Sequence, residues 1–143
     1  MRSLTISEIA IGDAATFRKT ISESDVYLFA GITGDLNPVH VDAEFAKTTP
    51  FGARVAHGPL TFSLCAGLLG TELPGVGTVA VTNEVAYEAP VYLGDTITVK
   101  VEVAALDPER NRATMAVTWQ NQDGAQVASG TMVVKPPKTK VPL

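Results

Sequence analysis

The chain has 143 residues, 45% of them hydrophobic and 18% charged, with 11 basic against 15 acidic side chains and a net charge of −4. That length and apolar share suit one core-bearing domain over residues 1–143 and exclude a disordered chain, and the acidic balance removes the basic footprint that a nucleic-acid partner needs. No apolar run is long enough for a membrane span and no signal pattern opens the chain. The lone Cys65 allows neither an intrachain disulfide nor a cysteine metal site, so the cytoplasm is the expected location.

Taken in chain order, Ile6 to Ile21 alternates loosely, with Phe17, Lys19 and Ile21 at period two, and predicts a first strand. Ser22-Glu23-Ser24-Asp25 reads as a helix start, because Ser22 can accept from free backbone N–H groups and the acids favour the positive end of the dipole. Val26, Phe29 and Ala30 share one face of that helix, which the Gly31–Gly34 segment is expected to end. Asp35 then falls just past a helix C-terminus, in a loop bent by Asn37-Pro38. Asp42 can cap a short helix through Phe45 and Ala46 that stops near Pro50.

Gly58-Pro59 predicts the start of a further helix, with proline where its missing N–H costs nothing. From Pro59 to Leu69 this helix is apolar nearly all round, which demands that something wrap it, and Gly70 is expected to end it. Four strands follow: Val79–Tyr87, Ile97–Val103, Ala113–Trp119 and Val127–Val134, with turns at Asp107–Asn111 and Asn121–Gly124. One strand, helices and four strands make an α+β architecture, an antiparallel sheet curled about a buried central helix. There is no internal repeat and no linker that would mark a second domain.

Two segments carry the chemistry. Gly34-Asp35-Leu36-Asn37-Pro38-Val39-His40 sets an acid and an imidazole five positions apart across a turn, and these are the two side chains best suited to moving protons near neutral pH. The second, Phe51 to Leu60, is a loop that carries Arg54 and His57 and feeds Gly58 into the apolar helix. There its backbone N–H is free to meet an oxyanion and the absent side chain permits close approach. Taken alone, Asp35 also reads as an ordinary turn residue and each histidine as a packing residue. No paired-histidine or paired-cysteine spacing suggests a metal, and no glycine-rich strand–helix loop suggests a nucleotide.

In this order and spacing the two segments resemble the MaoC-like hydratases, and within them the (R)-specific enoyl-CoA hydratases, over about Thr16 to Val134. The resemblance implies the hot-dog fold. It also implies a hydro-lyase that reversibly hydrates trans-2-enoyl-CoA to (R)-3-hydroxyacyl-CoA. No cofactor is implied, since coenzyme A arrives within the acyl-CoA substrate, and the family's habit is a homodimer or a higher homo-oligomer. Asp35 and His40 match the pair that acts on one catalytic water, Asp35 as base and acid and His40 as the group that positions and activates the water.

Gly58, His57, Ser63 and Asn37 are the candidate substrate-binding residues. Asn37 is expected chiefly to shape the loop, and His57 to orient it or to contact substrate. Ser63 either meets the site or bonds back within its helix, and Arg54 could meet a phosphate of coenzyme A. Pro59 stands where the family often has methionine, which leaves Leu60 or a water to provide any second oxyanion donor. The rival readings are a hot-dog thioesterase, although the Pro59–Leu69 helix holds no acid, and a non-catalytic acyl-thioester binding module.

Overall fold

A computed structural model describes residues 1–142. The first strand is shorter than the alternation suggests. Thr5 and Glu8 close a capping box on a 3₁₀ turn at Ile6–Glu8, so β1 begins only at Ala14 and runs to Thr20. Helix α1, Glu23–Thr33, opens with Ser22 and Asp25 exchanging side-chain-to-backbone hydrogen bonds. It buries Val26 and Ala30 and ends within the expected glycine segment. Gly31 stays helical and Gly34, at φ 75°, takes the left-handed cap.

Two short helices follow. Pro38–Val41 forms α2, whose first turn Asn37 caps through Val39 N–H. Ala43–Lys47 forms α3, where the Asp42 carboxylate accepts from Glu44 and Phe45 N–H. The long helix α4 spans Gly58–Thr71, continuing through Gly70 to its cap at Glu72. No helix among the described residues is long and apolar enough to cross a membrane.

The remaining strands are β2 (Val79–Tyr87), β3 (Thr96–Asp107), β4 (Arg112–Gln120) and β5 (Gln126–Lys135). They form one antiparallel sheet with β1, in the order β1-β3-β4-β5-β2. Period-two alternation sends Ile97, Val99, Val101 and Val103 from β3, and Ala113, Met115, Val117 and Trp119 from β4, to one fully buried face. Helix α4 lies on that face and adds Leu60, Cys65, Leu68 and Leu69 to the core. This is the α+β, hot-dog arrangement of an antiparallel sheet about a central helix.

The wrapping is incomplete in the single chain. Ser63, Ala66 and Gly67 on α4 are exposed. So is nearly all of β2, including Val79 at 59% and Val81 at 43%. As the last strand in the sheet, β2 keeps one edge unpaired.

Candidate active site

The site is assembled by backbone. Ala56 N–H donates to the Val91 carbonyl at 2.7 Å, and Val55 bridges Tyr92, which pins the segment before α4 against the loop leading to β3. Val55 N–H also donates to the Val39 carbonyl at 3.3 Å, drawing α2 onto the same segment. The result brings His40 and His57 face to face, with ring centroids 3.8 Å apart and planes at 29°. Phe29 of α1 closes the other side of His57, its ring 5.0 Å away.

Carbonyl partners assign the protons on both imidazoles. His40 Nδ1 lies 2.7 Å from the Val55 carbonyl oxygen. A carbonyl only accepts, so Nδ1 carries the hydrogen and Nε2 presents a lone pair. His57 Nε2 lies 3.0 Å from the Asp35 carbonyl oxygen, so here the hydrogen sits on Nε2. His57 is 1% exposed and its Nδ1 has no partner within the protein among the described residues.

Asp35 is exposed, just beyond the Gly34 cap. Its N–H donates to Thr33 Oγ1 at 3.3 Å, and its Oδ1 accepts from Asn37 N–H at 3.2 Å, an Asx turn that steadies the carboxylate. Asp35, His40 and His57 each offer one polar atom within 4.8 Å of the others. The two rings are stacked, and the set combines one carboxylate with two imidazoles whose other nitrogens are engaged by backbone carbonyls.

The other candidates divide. Gly58 opens α4 with an N–H that has no intrahelical acceptor. It borders a cavity of about 400 Å³ whose walls include Phe51, Ala56, Thr61, Tyr87 and Val91. Asn37 is committed to the cap of α2. Ser63 Oγ donates to the Leu60 carbonyl at 2.7 Å, the internal bond of a helix hydroxyl. Arg54 is held on the surface by Glu23 and by Tyr27 Oη, 3.0 Å away; the paired guanidinium keeps the Glu23 carboxyl below the usual carboxylate range.

Sequence reasoning missed Val55, which acts through its carbonyl, and Tyr87. Neither has a signature: a carbonyl has no residue type, and Tyr87 reaches Gly58 only through the fold.

A family profile described as "MaoC like domain" matches residues 8–125. The chain belongs to that family. It is 46% identical over 138 residues, 96% of this chain and 87% of the relative, to a 3-hydroxybutyryl-CoA dehydratase of Methylorubrum extorquens. It is 37% identical to an (R)-specific enoyl-CoA hydratase of Aeromonas caviae, covering 94% of this chain and 100% of the relative. Among solved structures, the unliganded R-hydratase PhaJ1 from Pseudomonas aeruginosa superposes with a TM-score of 0.92 at 39% identity, over 97% of this chain and 89% of that one. The MaoC-like family thus accounts for the sheet, the central helix and both sequence segments together.

Proposed function

We propose that this protein is a hydro-lyase that adds water reversibly across the double bond of a trans-2-enoyl-CoA to give an (R)-3-hydroxyacyl-CoA. The observation that carries the reading is the pairing of an imidazole poised as acceptor with a carboxylate at its side. His40 Nε2 is left with its lone pair by the Val55 carbonyl, and Asp35 stands within reach of the same water. His57, next to Gly58 in the chain, donates to the Asp35 carbonyl and so ties the start of α4 to the Asp35 loop.

In the forward direction the water oxygen bonds to C3 of the enoyl group and its proton passes to Asp35, with His40 accepting the water's second hydrogen bond. Electron density shifts through the conjugated system to the thioester oxygen, which Gly58 N–H and the positive end of α4 stabilise. Asp35 then returns the proton to C2. No cofactor takes part; coenzyme A belongs to the substrate.

A second copy of the chain fits the exposed edge of β2 and the small-residue face of α4, both of which a lone subunit leaves uncovered. The homodimer is part of this reading. A single cysteine kept as a buried thiol suits a reducing, cytoplasmic compartment.

The test is loss of the conjugated enoyl-thioester absorbance when the protein meets crotonyl-CoA, run beside Asp35→Asn and His40→Ala. Loss in the wild type, abolished by both substitutions and without free thiol, is the expected result. Release of free thiol would identify a thioesterase instead, and ligand binding without turnover in the wild type would identify a binding module.

A further inference from the structure

The start of α4 offers one oxyanion donor, Gly58 N–H, because proline occupies the next position and has none. A tetrahedral or enolate-like oxygen is held best by two donors, and the structure supplies a second from an unexpected element. The ring of Tyr87, at the end of β2, lies directly over Gly58. A Cβ placed on Gly58 would be 3.0 Å from Tyr87 Cζ and 3.1 and 3.2 Å from its two Cε atoms. Cζ bears the hydroxyl, the Cζ end of the ring is the part nearest Gly58, and Tyr87 and Gly58 both line the cavity at the helix start.

Three side chains lining that cavity are polar: Thr61, Tyr87 and Glu88. Thr61 Oγ1 is turned to the His57 carbonyl, 3.5 Å away within its own helix. Glu88 accepts from Gln126 Nε2 at 2.9 Å and from Ser129 Oγ, and as a carboxylate it has nothing to donate. Tyr87 Oη makes no hydrogen bond to the protein among the described residues. It is therefore the free side-chain donor in the cavity wall, and it is half-exposed into that space. Partial burial pushes its pKa above the ordinary phenol value, so it stays protonated through the neutral range.

We propose that Tyr87 is a catalytic residue whose phenol donates the second hydrogen bond to the thioester carbonyl oxygen, beside Gly58 N–H. This rests on the hydratase reading above. Tyr87 transfers no proton. The C–O bond forms at C3 and the proton travels through Asp35 as before, while the phenol keeps its hydrogen and strengthens its bond as charge builds on the thioester oxygen. Such a donor acts mainly in the transition state and so appears in kcat more than in KM.

The experiment is Tyr87→Phe, which keeps the ring over Gly58 and, because Oη has no protein partner, leaves no group orphaned. With crotonyl-CoA, kcat is expected to fall about ten- to a hundredfold, with KM changed less than about threefold and Tm unchanged. A second readout separates chemistry from structure. On the Asp35→Asn background, which holds crotonyl-CoA without turnover, bound enoyl thioester should show a red-shifted absorbance from the hydrogen-bonded carbonyl, and Tyr87→Phe should shrink that shift.

Wild-type kcat and an undiminished shift in Tyr87→Phe would overturn the proposal while leaving the hydratase reading intact. A wild type that hydrates no enoyl-CoA would overturn both. A Tyr87→Phe protein with lowered Tm and raised KM but full kcat would make Tyr87 a packing residue and also overturn the proposal.

Discussion

Replacing Gly58 by alanine tests the closeness of substrate, backbone and Tyr87 with a single methyl group. The backbone at Gly58 lies outside the left-handed region, so alanine is not strained by its φ. Its Cβ would sit 3.0–3.2 Å from three ring carbons of Tyr87, where ordinary carbon contacts are about 3.5–4.0 Å. The ring must therefore retreat by roughly 0.5 Å. Tyr87 is half-exposed at a strand end and can do so, which sets the overpacking cost near the lower bound of about 1–3 kcal/mol.

Removing glycine's unfolded-state freedom returns about 0.4–1 kcal/mol. The net change is within about 1 kcal/mol, a Tm shift of about 3 °C or less for a chain of this size. Activity should suffer far more. The methyl displaces the Tyr87 ring that borders Gly58, and a misplacement of about 1 Å in groups around a reacting centre can cost roughly a hundredfold. The assay is crotonyl-CoA hydration alongside thermal unfolding. Full activity at unchanged Tm would refute the placement of the thioester at Gly58, and a collapse in Tm would refute the claim that the ring yields.

Other outcomes follow from single contacts. In Gly130→Ala the new Cβ would lie 2.4 Å from the Glu84 carbonyl oxygen, inside the β2–β5 ladder; urea unfolding should show a loss of about 3 kcal/mol or more, and a wild-type midpoint would contradict the register. Burial pushes the Cys65 thiol from 9.0 up to about 11. Thiol labelling at pH 8 should therefore be slow in the native protein and fast in denaturant. The unfolded chain releases this proton first, so stability should decline as pH rises from about 9 through 11, by about 2–3 kcal/mol in all; a flat profile there would contradict it. In Arg54→Ala the Glu23 carboxyl, now held low by the guanidinium, should titrate upward into the ordinary carboxylate range by NMR. The stabilising effect of that pair is present at neutral pH and fades as pH falls through the depressed value, a fade the variant should lack.

The strands β3 and β4 were legible over Ile97–Val103 and Ala113–Trp119 because alternation is a local code that buries each second residue there; β3 runs on to Asp107 past a bulge after Val103, where the alternation stops. Caps were legible for the same reason, Ser22 and Asp42 both doing what their residue type allows. What failed was non-local. Ile6 alternates with its neighbours yet sits in a 3₁₀ turn, because the Thr5–Glu8 capping box outweighs a weak period-two signal. The all-round apolar character of Pro59–Leu69 suggested full wrapping, but a single sheet covers one side of a helix. Asp35 and His40 were singled out by their spacing together with the family resemblance. The contacts of His40 with Val55 and of Gly58 with the Tyr87 ring depend on register and strand order, which no short segment encodes.

The His40 imidazole is oriented by a main-chain carbonyl, where many enzymes use a carboxylate for that task. A carbonyl survives any substitution at its own residue, so a change of the buried side chain at position 55 that keeps the backbone in place leaves the same ring nitrogen holding the proton. His57 obeys the same rule through the Asp35 carbonyl. The proton machinery is thereby insulated from mutation in the cavity wall, where Val55 also contributes. Substrate preference can drift in such a protein while the reaction stays the same.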